Sequence, residues 1–313
     1  MIDFATLTLI SDMLVRATPL ILAGLAVAFA FQAGVLNIGA EGQLLIGAAS
    51  ATSVALALTP LLGRLVLPIA LIVGAIAGGL WALIAAELRR RFRVLEVIST
   101  IMLNFVAIFL VGFLVRGPLQ EPTHIYPQTV ELNPEARLPI LIPGTRLHAG
   151  FAIAVICCIA GWWILRRTAA GFRLRIIGAN PSAGRVAGRI DVEKTARNIF
   201  LVSGALAGLA GAIEVHGVTF ALYENLSPGY GYTAIAVALL ADLNPLLVLV
   251  TGVFFGALET LASALQRDVG IPATLVSVIE ALVVLIVLAI QRLRSGRTTV
   301  IRKAAAYAAV SET

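Results

Sequence analysis

Residues 33–47 read Ala33-Gly34-Val35-Leu36-Asn37-Ile38-Gly39-Ala40-Glu41-Gly42-Gln43-Leu44-Leu45-Ile46-Gly47, and they place Asn37, Glu41 and Gln43 between two long apolar runs. Gly34, Gly39 and Gly42 relax the helix at the same place. Irregular backbone at membrane depth survives only where protein or a water-filled cavity satisfies its N–H and C=O groups. Two readings are open. In one, Asn37 or Glu41 caps a half-helix at the membrane surface, where a carboxylate near a helix N-terminus is stabilised by the macrodipole. In the other, two membrane helices meet at a polar pathway, because discontinuous helices are where transporters build such sites. Asn37 and Glu41, four residues apart, would share one face of any helical continuation.

The composition around this stretch makes a membrane protein the expectation. Of 313 residues 59% are hydrophobic and only 13% charged, against about a quarter charged in soluble domains. Runs such as 42–63, 65–86, 97–115 and 147–165 approach the ~20 residues needed to cross a hydrocarbon core. They lack the ~10-residue alternation of a membrane barrel. A formal charge of +6 could suggest nucleic acid, but the basic residues gather in three short inter-helix segments, around Arg89–Arg93, Arg166–Arg197 and Arg292–Lys303. That is the pattern of cytoplasmic loops, and no nucleic-acid partner is expected. Cys157 and Cys158 are adjacent in an apolar run and diverge around a helix, so they read as packing residues. No removable signal peptide is legible at the N-terminus.

In order, residues 1–16 read as an amphipathic interfacial lead-in, followed by crossings at about 19–31 and 43–58 on either side of Asn37. A third crossing spans 65–86, and a fourth begins at Glu96 and carries Ser99 and Asn104. Asn104 fits either helix-to-helix adhesion or a pathway role. Residues 117–147 hold six prolines that exclude a regular helix and form the largest loop, expected outside. His124 in it and His148 at its end have no partner at metal-ligand spacing and read as ordinary interfacial residues. The fifth crossing is 151–165. The sixth, from Ile199 to about Val215, carries the pair Gly204 and Gly208. Gly74 and Gly78, and Gly252 and Gly256, repeat that spacing, which lets helix backbones approach closely. Glu214 and His216 close the sixth crossing on different faces, which argues against a paired acid/base role.

A second polar break, Tyr223 to Thr233, leads into a short apolar run that ends at Asp242-Leu243-Asn244-Pro245. Tyr230 and Tyr232 there suit either stacking on a base or sugar or an interfacial aromatic belt. Two further helices follow, at about 246–265 with Glu259 inside and 272–290 with Glu280 near the middle, and residues 304–313 look like a disordered tail. A carboxylate at such depth is a functional-site hypothesis by default; a structural pair or a protonated carboxyl is the alternative. The expected fold is therefore all-α: a polytopic helical membrane protein of about eight to ten transmembrane helices, interrupted in each half.

The run from Gly34 to Gln43 resembles the signature of ABC-transporter permeases of the branched-chain amino acid, simple-sugar and nucleoside import type, nearest the nucleoside branch. The stretches Glu96–Asn104, Phe172–Gly188 and Tyr223–Thr233 extend that resemblance over nearly the whole chain. It implies a single transmembrane permease domain over 1–303, with an external loop at 117–147 and a cytoplasmic coupling segment at 166–197 that docks on an ATPase. Gly178, Ala179, Asn180, Pro181, Ala183 and Gly188 would form the docking surface. Asn180-Pro181 also reads as an ordinary cap and first residue of a short helix. Asn37, Glu41, Gln43, Asn104, Tyr230, Tyr232 and Glu280 are the candidate pathway residues. The implied partners are an ABC ATPase, a second permease subunit, an external solute-binding protein or lipoprotein, a small solute and membrane lipid, all at the cell (inner) membrane.

The chain does not carry the chemistry of the ATPase. A phosphate-binding loop needs a lysine after glycine, and the only lysines, Lys194 and Lys303, follow Glu193 and Arg302. No metalloprotease or serine-hydrolase motif is present, and no metal site or cofactor is expected. The expected function is the permease subunit of an ATP-driven importer for a small polar solute, with a nucleoside favoured. The rival is a proton-coupled secondary transporter in which Glu259 or Glu280 carries the proton.

Overall fold

The computed structural model describes residues 4–180 and 190–269, with isolated helical positions at 278, 281, 282, 285, 286 and 289. Glu280, Pro181, Ala183, Gly188 and the tail 304–313 lie outside the described residues. The chain divides into two compact units, residues 1–260 and 261–313.

Among the described residues the α-helices with continuous bounds are α1 (Phe4–Gln32), α2 (Ala40–Leu62), α3 (Val66–Phe92), α4 (Glu96–Arg116), α5 (Gly150–Arg167), α6 (Ala169–Ala179), α7 (Val192–Glu214), α8 (Tyr230–Leu240) and α9 (Pro245–Val269). Among the described residues six spans are long and apolar enough to cross a bilayer, and the 53-residue span Ala40–Phe92 contains both α2 and α3. The two fold back on each other at Gly63, whose φ of 51° is left-handed. The chain is thus a multi-pass helical membrane protein. At 11 residues, α8 rises about 16 Å, roughly half of a ~30 Å hydrocarbon core. It follows an irregular stretch from Phe220 to Gly229, so the second interruption is a broken crossing.

The expected interfacial lead-in is not separate: α1 continues unbroken from Phe4 through Pro19 to Gln32. A proline removes one helical hydrogen bond, and here the helix is held from all sides, since every residue from Ala17 to Ala30 is buried. A helix that is apolar all round is a core helix. The charged residues that suggested an interface, Asp12 and Arg16, sit on its first four turns.

The paired glycines set the close contacts. A Cβ on Gly208 would lie 2.4 Å from the Gly74 carbonyl oxygen, one on Gly78 2.4 Å from that of Gly204, and one on Gly47 2.3 Å from the Gly208 Cα. So α2, α3 and α7 touch backbone to backbone. Gly252 and Gly256 seat α9 on α1 in the same way, against Ile21 and Met13. Without a hydrophobic force between helices in lipid, such dispersion contacts carry the association.

One end of the bundle gathers Arg89, Arg93, Glu96, Arg197 and the break at Leu36; we call it the basic end. At the opposite end the proline-rich loop is ordered by backbone bonds to the second interruption. Thr129 N–H donates to Leu222 O at 2.9 Å, Leu132 N–H to Phe220 O at 2.7 Å and Leu138 N–H to His216 O at 2.8 Å. Arg137 stacks 4.3 Å above the Phe220 ring. His124 is exposed, but His148 is 1% exposed and not interfacial. Its Nδ1 accepts from Gly150 N–H at 3.2 Å. Burial, with Arg146 nearby, pushes its pKa down to about 4.

Candidate functional site

The first break spans residues 33–39, and α2 starts only at Ala40. Asn37 is therefore not on the helix, and the shared face with Glu41 does not form. Asn37 Oδ1 instead accepts from Gly39 N–H at 2.9 Å and Gln43 Nε2 at 2.9 Å, while its Nδ2 donates to Gln43 Oε1 at 3.0 Å and Ser203 Oγ at 2.9 Å. Ser203 donates its own proton to Ala26 O at 2.7 Å. This amide pair ties the break to α2 and, through Ser203, to α7 and α1. Asn37 and Gln43 are 0% and 1% exposed.

Asn104, also 0% exposed, reaches the same break from α4. Its Oδ1 accepts from Gly42 N–H at 2.9 Å, one of the donors that the first turn of α2 leaves without a helical partner. Its Nδ2 donates to Ile38 O at 2.9 Å. Tyr232 OH stands 3.4 Å from the same nitrogen. Asn104 thus does for α2 the capping that one of the two readings gave to Asn37 or Glu41.

Glu41 turns away and caps the other interruption. Its Oε2 accepts from Gly231 N–H in the first turn of α8 at 2.7 Å, with the Ser227 hydroxyl beside the same carboxylate. Ser227 Oγ also accepts from Gly229 and Tyr230 N–H at 3.1 and 3.0 Å. A Cβ on Gly231 would fall 2.2 Å from Glu41 N, so the two helix starts are in direct contact. One carboxylate lies between two helix N-termini, where both macrodipoles favour negative charge.

The six described pathway candidates therefore form one connected region. Asn37 and Gln43 pair, Asn104 joins Ile38, Gly42 and Tyr232, and Glu41 joins the start of α8 beside Tyr230. Among them Tyr232 is exposed, at 42%, while Tyr230 is buried. Ser203, Thr100 and Ser227 belong to the network and were not singled out from the sequence, where lone hydroxyls are ordinary. Glu96 belongs too: it accepts from Leu36 N–H at 2.9 Å and forms an ion pair with Arg89. Its hints were its place just after a basic cluster and at the head of the stretch Glu96–Asn104 that resembles the permeases.

Of the described coupling candidates, Gly178 meets this region. α6 starts at Ala169, where Thr168 Oγ1 caps it by accepting from Gly171 N–H at 3.2 Å, and the short helix expected from Asn180-Pro181 falls on residues outside the described ones. Ala179 ends the helix and Asn180 follows it. A Cβ on Gly178 would lie 2.0 Å from Gln32 O and 3.2 Å from Ala33 C, and Gly34, with φ of 72°, faces Gly178 in turn. The last turn of α6 thus rests on the backbone where α1 gives way to the break.

The model of a family described as the branched-chain amino acid transport system permease component matches residues 9–288. The chain is 39% identical to the glucose ABC transporter permease TsgB13 of Haloferax volcanii, over 88% of this chain and 75% of that protein. It is 37% identical to the guanosine ABC transporter permease NupP of Bacillus subtilis, over 91% and 82% of the two chains. With the nucleoside ABC transporter permease NupB of Lactococcus lactis the identity is 31%, over 88% and 78%. No solved structure matches the chain.

Proposed function

The chain belongs to the permease family of branched-chain amino acid transport systems, and from that premise we propose that it forms the translocation pathway of an ATP-driven nucleoside importer. It is a multi-pass transport subunit of the cell membrane and not an enzyme. Similarity to guanosine and nucleoside permeases supports the solute class. ATP hydrolysis belongs to a partner ABC ATPase. A second permease and an external solute-binding protein or lipoprotein complete the system.

The observation that carries the mechanism is the contact of Gly178 with the backbone of Gln32 and Ala33. A displacement of α6 by a docked ATPase reaches the first break without any intervening side chain. The break holds Asn37, and the first turn of α2 that follows it holds Glu41 and Gln43. In the described conformation Asn37, Glu41, Gln43 and Asn104 are all occupied by bonds within the protein. A solute path through this region requires those bonds to part, first where Glu41 meets Gly231. Parting them frees α8 from α2 and presents amide, carboxylate and Tyr232 groups suited to sugar hydroxyls and a base.

The test is ATP-dependent uptake of guanosine by proteoliposomes holding this chain with its copurified subunits. ATP-dependent uptake supports the reading. Uptake by the chain alone, driven by a proton gradient without ATP, overturns it. A hexose is the second reading, favoured by the 39% identity to a glucose permease. Competition between guanosine and glucose for the same uptake separates the two.

A further inference from the structure

A cleft of about 570 Å³ opens at the basic end and touches the Asn37 network at Leu36 and Glu96. Its size falls in the range of about 300–1,000 Å³ typical of ligand sites. Its lining has two characters. Phe200, Leu36, Val94, Val97 and Val192 are apolar, and Arg89, Arg90, Arg93 and Arg197 are basic.

These arginines are not equivalent. Arg89 is held by Glu96, and Arg90 is bound by Glu87 through Nε at 2.9 Å and Nη2 at 2.6 Å. Glu193, the other carboxylate on the cleft, acts on Arg90. Arg93 and Arg197 have no carboxylate partner among the described residues. They come from the end of α3 and the start of α7, so the cleft is walled by separate helices.

We propose that this cleft binds a phosphate group through Arg93 and Arg197, and that the phosphate is the headgroup of an anionic phospholipid. Guanidinium groups match phosphate oxygens in paired, charge-assisted hydrogen bonds. Basic pockets between transmembrane helices at a bilayer surface have the composition that holds lipid headgroups. The apolar residues of the lining, Phe200 and Leu36 with the valines, provide for the acyl chain, which a free anion would leave uncovered. Occupancy also bears on the break: Leu36 lines the cleft, and its N–H is bonded to Glu96. A headgroup at Arg93 therefore lies beside the Arg89–Glu96–Leu36 connection. Lipid binding there requires neither the solute nor ATP.

The test uses the full chain with its copurified subunits in neutral detergent. Native mass spectrometry counts bound lipid after addition of phosphatidylglycerol or phosphatidylcholine, with inorganic phosphate as competitor. The expected result is selective retention of phosphatidylglycerol, lowered about tenfold in affinity by the double substitution Arg93→Gln and Arg197→Gln. Arg64→Gln, at the opposite end, should leave retention unchanged. Equal retention of phosphatidylcholine by the wild-type protein, which needs no variant to fold, overturns the proposal. So does retention unaffected by the double substitution in a folded protein. Displacement of the lipid by millimolar phosphate overturns the lipid source and leaves a free-anion site at the same arginines.

Discussion

Replacing Asn104 by alanine removes one side chain and strands two backbone groups. Gly42 N–H and Ile38 C=O lose bonds of 2.9 Å each, at a position that is 0% exposed. Each buried group left unpaired costs about 1–3 kcal/mol. The 3.4 Å approach to Tyr232 is too long to add much. The sum is about 2–6 kcal/mol, and partial relaxation of the first turn of α2 places the expected loss near 3 kcal/mol. Thr100→Val is the comparison, because Ile38 N–H reaches Thr100 Oγ1 only at 3.4 Å and the hydroxyl's own 2.7 Å bond stays within α4, to Glu96 O; it should cost about 1 kcal/mol. Equilibrium unfolding in mixed micelles measures both. If Asn104→Ala costs no more than Thr100→Val, the amide is not what holds the break, and the start of α2 does not depend on a cap from α4.

Other substitutions probe separate links. Gly178→Ala places a Cβ 2.0 Å from Gln32 O and should lower solute transported per ATP hydrolysed while ATPase binding persists; an unchanged ratio would mean that α6 does not act through this contact. Gly208→Ala meets backbone of Gly74 and Gly78 and should cost about 1–3 kcal/mol through overpacking, despite alanine's helix advantage of about 1 kcal/mol; the yield of monodisperse protein reports it. Glu41→Gln retains an acceptor for Gly231 N–H and should lose no more than about 1 kcal/mol of dipole interaction, whereas Glu41→Leu strands that N–H and should be the less stable in thermal melts. His148 is neutral in the fold, with its pKa lowered from 6.5 to about 4. The unfolded chain therefore takes up a proton first as pH falls, and stability present above pH 6.5 is lost toward pH 4. That loss is at most about 3 kcal/mol, read as the difference between wild type and His148→Gln.

Much of the architecture is legible in the chain itself. Apolar runs near the thickness of a bilayer give the crossings, because every backbone group in lipid must be bonded within its own helix. Glycines four apart mark the contacts of α3, α7 and α9, since only a missing Cβ lets two backbones touch. Both interruptions, around Asn37 and around Tyr230, are visible as polar residues and glycines where apolar sequence should continue. The arginines at the end of α3 and the start of α7 mark one end. The exception is α1, where Asp12, Arg16 and Pro19 suggested a boundary and enclosure by neighbouring helices overrode it.

The sequence by itself determined that these polar residues must be satisfied, but not by what. Asn37 and Glu41 look like partners at helical spacing, yet one bonds Ser203 on α7 and the other Gly231 on α8, 190 residues away. Asn104, which reads equally as adhesion between helices, caps the start of α2. A local pattern fixes where a helix begins and therefore which donors are left over. Which side chain meets those donors depends on how other helices pack around the break, and that only the tertiary structure decided.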